Sequence, residues 1–92
     1  ASTTCALDLS NRPFLVYKVD ISGKIGTFDV ELVEEFFHAV VMNCGITCHI
    51  IQDRGSNKHH IVESSFKAFA VALRRALKEN KKLGIPSTKG VL

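Results

Sequence analysis

The sequence predicts one α+β domain, a mainly antiparallel sheet with helices packed on one face, in the order β-β-α-β-α. Two stretches rich in β-formers open the chain, two long segments repeat their apolar residues at helical spacing, and a third β-rich stretch lies between those segments. At 92 residues there is room for a single core only. No internal repeat and no low-complexity tract interrupts it.

Residues 3–9 (TTCALDL) and 13–19 (PFLVYKV) read as strands, and SNRP between them supplies turn chemistry, so the expectation is a β-hairpin. DISGKIG is a second turn, leading through a short extended piece into the first helix. That helix is predicted within FDVELVEEFFHAVVMNCG, with Val33, Phe36, Phe37, Val40 and Cys44 along one face. Asp29 is placed to cap its start, and Gly45 fits a left-handed stop. ITCHIIQ is the third strand. After the loop DRGSN, with Ser56 or Asn57 as cap, the second helix runs from about Lys58 to Glu79 on a stripe of Val62, Phe66, Phe69, Leu73 and Leu77. Residues 80–92 are expected to form a basic tail, since Gly84, Pro86 and Gly90 oppose a helix.

A hydrophobic content of 46% is generous for so small a unit and predicts a face covered by another chain, hence an oligomer. The longest nearly apolar run, Phe36 to Met42, is broken by His38 and is too short for a membrane span. The first ten residues lack the pattern of a secretory signal, and a start without methionine suggests residues upstream. Cys5, Cys44 and Cys48 are an odd number without zinc or disulfide spacing, which points to reduced thiols in a cytosolic-type compartment. Seven of the twelve basic residues fall from Lys67 onward, a distribution suited to phosphate. Nucleic acid is a poor fit, because one tyrosine, no tryptophan and core-bound phenylalanines leave few stacking platforms.

The chemistry-bearing motif is HHIVE, at the mouth of the second helix. On a helix His59 and His60 stand four and three residues before Glu63, so either imidazole can sit beside the carboxylate. Adjacent helical residues diverge by about 100°, which favours two ions, each taking one ring. Imidazole with carboxylate suits manganese, iron or zinc. The competing reading is a solvated first turn in which Glu63 offsets the positive helix end. Glu35 by itself would be a solvated helix residue beside Glu31 and His38, Lys67 an ion-pair partner of Glu63 one turn back, and His49 a structural strand residue. Ser87, Thr88 and Lys89 offer hydroxyls and an ammonium to an anion, or belong to a plain basic tail, and Arg12 before Pro13 has the same two readings.

In order, DLSNRPFLVYKVD, IGTFDVELVEEFFHAVVMNCGITCHI, GSNKHHIVESSFKAFAVALRRAL and IPSTKGVL resemble the C-terminal half of the imidazoleglycerol-phosphate dehydratase family, over about Leu7 to Leu92. The resemblance implies one of two similar α+β halves, each with its own HHxxE, in a large cytoplasmic homo-oligomer, or a plastid one in plants. It also implies a lyase of histidine biosynthesis that dehydrates D-erythro-imidazoleglycerol phosphate to imidazole-acetol phosphate. Two Mn2+ ions per active site are implied as Lewis acids that stabilise an imidazolate-like intermediate. Carried over by residue, His59, His60 and Glu63 are metal ligands with Glu63 also catalytic, Glu35 is a ligand from the preceding helix, and Arg12, Lys67, Ser87, Thr88 and Lys89 hold the substrate phosphate. The family's N-terminal half has no counterpart here, and Lys58 stands where relatives show a small or acidic residue. An alternative is therefore a half-domain that binds metal and assembles, with a complementary half or a second copy, without being catalytic alone.

Overall fold

The computed structural model describes residues 1–82. The elements are β1 (Ser2–Asp8), β2 (Phe14–Lys18), β3 (Lys24–Ile25), β4 (Phe28–Asp29), α1 (Glu31–Cys44), β5 (Thr47–Arg54) and α2 (Lys58–Lys82). The α+β class holds, with both helices on one face of a three-stranded sheet and β3 and β4 forming a separate two-stranded ribbon.

The expected hairpin of the first two strands does not form: β5 lies between them, antiparallel to β1 and parallel to β2. The reason lies in the SNRP segment. Instead of closing β1 onto β2, it crosses the start of β5. Asn11 N–H donates to Gly45 O, Phe14 N–H to Ile46 O, and the Thr47 hydroxyl to Arg12 O at 2.8 Å. Asn11 sits at φ 59°, a left-handed conformation that asparagine tolerates better than most residues. β2 and β5 can then pair in parallel because α1 provides the crossover between them.

Alternation along the strands sets the layers. Cys48 and Ile50 are fully buried, with Leu7 and Cys5 opposite them on β1 and Leu15 and Tyr17 opposite on β2. Val33, Phe37 and Val41 of α1 and Phe69 of α2 close the core over this face. Phe37 is its centre, with ring centroids 5.1 Å from Phe69 and 6.1 Å from Tyr17. The other sheet face carries Ala6, Phe14, Val16 and His49, and among the described residues no helix lies over it.

Gly45 ends α1 as its sequence predicts, whereas the N-cap of α1 is Val30 and not Asp29. Asp29 Oδ1 accepts the Glu31 N–H at 2.9 Å, acting one residue outside the N-cap, Val30. Gly45 ends α1 at φ 66°, ψ 43°, with its N–H on Val41 O. A Cβ there would stand 2.8 Å from Asn11 Oδ1, so the glycine also admits the crossing loop. α2 runs on through Asn80 and Lys81 to Lys82, past the predicted end. Among the described residues no helix is long and apolar enough to cross a membrane.

The helical stripes are wider than the sequence suggests. Phe36 and Phe66, both expected in the buried stripe, are 48% and 38% exposed, with their rings 5.4 Å apart. With exposed Leu32 and Met42 they extend the apolar surface of the helices beyond what one sheet covers.

Candidate metal centre

α2 begins directly above the C-terminal end of β5, and its first turn is fixed through the backbone. Asn57 accepts the His60 N–H on Oδ1 at 3.1 Å and the Ile61 N–H on its carbonyl at 2.9 Å. Ile61 is buried and anchors the turn; Ser65, one turn on, is buried too and donates to Ile61 O. With that side of the helix held inside, His59, His60 and Glu63 all stand on the exposed side.

The two imidazole centroids are 5.9 Å apart and the ring planes meet at 60°. The rings come from positions about 100° apart on the helix, and their planes are not parallel. Glu63 is one turn further on. No acid stands in the first turn of α2, and the helix-end field falls off within that turn, so Glu63 is poorly placed to offset it. Lys58 is directed elsewhere: its Nζ donates to Lys24 O of the ribbon at 3.4 Å. Gly23, at φ 85°, leaves room for that ammonium, which would be 3.1 Å from an added Cβ.

Glu35 is exposed on α1 in a cleft of about 480 Å3 shared with Glu31, Glu34, His38 and Ile21. The structure does not gather it with the histidine pair. Among the described residues no three histidine, cysteine or acidic groups converge as metal ligands. Beside this cleft, burial and the Glu34 charge push the Tyr17 phenol up to about 12, and among the described residues its buried hydroxyl has no partner.

The basic residues occupy two places. Lys67 lines a groove of about 790 Å3 between α2 and β1, together with Cys5, Ser64 and Arg75. Arg12 lies in the loop over the start of β5, its N–H on Ser10 Oγ and its carbonyl on Thr47. Ser87, Thr88 and Lys89 lie outside the described residues. His49, read from the sequence as structural, is an exposed imidazole on the helix-free sheet face, 6.3 Å edge-on from Phe14. Its position follows from the alternation that buries Cys48 and Ile50.

The family model for imidazoleglycerol-phosphate dehydratase matches residues 1–73. Curated proteins of that name from Aliarcobacter butzleri and Nitratiruptor sp. are 82% and 68% identical over the whole chain, covering 48% of each relative. The crystal structure of the Staphylococcus aureus imidazoleglycerol-phosphate dehydratase superposes with a TM-score of 0.75 at 51% identity, over 77% of this chain and 42% of that one. The chain thus spans about half the length of the curated relatives it matches.

Proposed function

Because the chain belongs to the imidazoleglycerol-phosphate dehydratase family, we propose that it supplies one half of a dehydratase active site, the half built on HHxxE. The reaction is the removal of water from D-erythro-imidazoleglycerol phosphate to give imidazole-acetol phosphate, a lyase step of histidine biosynthesis. One observation supports this reading most directly: two exposed imidazoles with centroids 5.9 Å apart and diverging planes, on a capped helix start, with Glu63 one turn away. Nitrogen and carboxylate donors of this kind fit Mn2+, with one ring for each of two ions and Glu63 beside them. Manganese, when bound, supplies Lewis acidity that lets the substrate's imidazole ring accept electron density.

The protein's own groups then do the positioning and proton work. Glu63 is the carboxylate nearest the histidine pair in sequence and is exposed, so it is available to move a proton at the substrate carbon. Lys67, with Ser87, Thr88 and Lys89 from the C-terminal segment, holds the phosphate by charge-assisted hydrogen bonds and fixes the reacting end, while Arg12, elsewhere on this chain, serves a phosphate bound at a neighbouring polypeptide. Glu35 would serve as a ligand to a metal shared with another polypeptide.

The lack of a three-ligand cluster among the described residues favours a second reading within the same frame. Alone, the chain binds metal incompletely and is not catalytic; an N-terminal half, or a second copy of this chain, completes the ligand set. The exposed Phe36 and Phe66 support such a partner, since apolar surface of this kind is normally covered. Manganese and imidazoleglycerol phosphate added to the chain, with and without a separately produced N-terminal half, decide the matter by the absorbance of the enolised product. Turnover that needs both halves and disappears in His60→Ala and Glu63→Ala is expected. Full activity of both variants would overturn the assignment.

A further inference from the structure

Cys5 and Cys48 have their sulfur atoms 3.7 Å apart. Cys5 lies on the edge strand, partly exposed, and lines the groove that also holds Lys67 and Arg75. Cys48 is fully buried on the central strand. Cys44 is on a different element, in the last turn of α1. We propose that Cys5 and Cys48 are a redox-sensitive pair: peroxide entering the basic groove oxidises Cys5, and Cys48 resolves the product as a reversible disulfide tying β1 to β5.

The division of labour follows from burial and the contact between the thiols. Cys5 is the one a dissolved oxidant reaches, because it lines the open groove while Cys48 is fully buried. The hydrogen bond from Cys48 holds the Cys5 thiol below its ordinary range, while the same contact and burial push the Cys48 thiol up. Cys5 is therefore the nucleophile and Cys48 the proton-bearing partner.

In the first step the Cys5 thiolate attacks one oxygen of hydrogen peroxide, the O–O bond breaks, and Cys5 becomes a sulfenic acid as the other oxygen leaves as hydroxide, which takes up the proton released by the Cys5 thiol and becomes water. Cys48 sulfur then attacks Cys5 Sγ, the S–O bond breaks, and a second water leaves with the Cys48 proton. Two thiols give up two electrons and the peroxide takes both.

Strand register explains why the bond would be reversible. Cys5 faces Ile50 and Cys48 faces Leu7, so the two cysteines are diagonal neighbours. Diagonal positions are about 7–8 Å apart at Cα, against about 4.4–6.8 Å for an unstrained disulfide. Closing the bond shears β1 along β5, and a strained disulfide is easily reduced. The Thr3 and Ser64 hydroxyls, 2.6 Å apart, tie β1 to α2, so the shear reaches the groove wall.

The test treats the purified protein, in the assembly it forms, with hydrogen peroxide, blocks remaining thiols and weighs unreduced tryptic peptides. Trypsin leaves Cys5 on Ala1–Lys18 and both other cysteines on Ile25–Arg54. The expected result is a cross-link between these peptides that is lost in Cys5→Ser and Cys48→Ala, kept in Cys44→Ser, and reversed by excess reduced glutathione. Circular dichroism checks that each variant is folded; if Cys48→Ala is not, retention of the cross-link in Cys44→Ser assigns the partner. Over-oxidation of Cys5 without a cross-link, a bond to Cys44, a covalent dimer on an unreduced gel, or resistance to glutathione would each overturn the proposal.

Discussion

Asn57 Oδ1 accepts the backbone N–H of His60 at 3.1 Å, so the turn that carries the histidine pair is held by a neutral amide and leaves both rings unengaged by the cap. The cap and the proposed ligands are thus separate groups within one helical turn.

Replacing the cap should test that separation. Asn57→Ala is expected to cost about 1 kcal/mol, read as a lower denaturation midpoint at unchanged slope, whereas Asn57→Asp or Asn57→Ser retains most of the stability. An Asn57→Ala protein as stable as the parent would mean that Ile61 packing alone fixes the turn.

The proposed function gives each imidazole its own ion. In the presence of whatever completes the site, His59→Ala and His60→Ala should each lower bound manganese by about half, and the double variant should abolish it. Metal analysis after gel filtration measures this directly. Complete loss of metal from either single variant would show that the two rings serve one ion.

Tyr17 carries a pH signature. Its phenol is pushed from an ordinary value of 10.0 up to about 12 by burial and by Glu34. In the unfolded chain the phenol ionises first, so the folded state holds the extra proton between these values, and stability falls as pH rises from about 10 to about 12. Below pH 10 this contribution is fully present. Tyr17→Phe should flatten that part of the stability profile. It should also gain about 1 kcal/mol at neutral pH, because the hydroxyl it removes is buried without a partner. An alkaline profile identical to the parent's would sink the assignment.

The Phe36–Phe66 pair predicts association. The chain should sediment as more than a 10.1 kDa monomer at micromolar concentration, and Phe36→Glu should shift it toward monomer while leaving the fold intact. Phe37→Ala, one residue away and fully buried, should instead cost about 3–5 kcal/mol. A monomeric parent would count against a partner on this face.

Much of the molecule was legible before its structure. The two helices, the Asn57 cap, the Asp29 and Gly45 boundaries and the place of HHxxE at a helix mouth rest on neighbours within a few positions, where spacing and capping chemistry act directly. The family resemblance was legible for a related reason, since its motifs are short and ordered along the chain. Strand order was another matter: residues 3–19 look like a hairpin because their turn signal is local, yet the N–H groups of Asn11 and Phe14 and the carbonyl of Arg12 are satisfied by residues more than thirty positions later. Only tertiary structure put β5 between β1 and β2, exposed Phe36 and Phe66, turned His49 to an open face and brought Cys5 against Cys48. Periodicity tells which residues share a face of an element, but which faces meet, and which remain bare, is decided by long-range packing that no local pattern encodes.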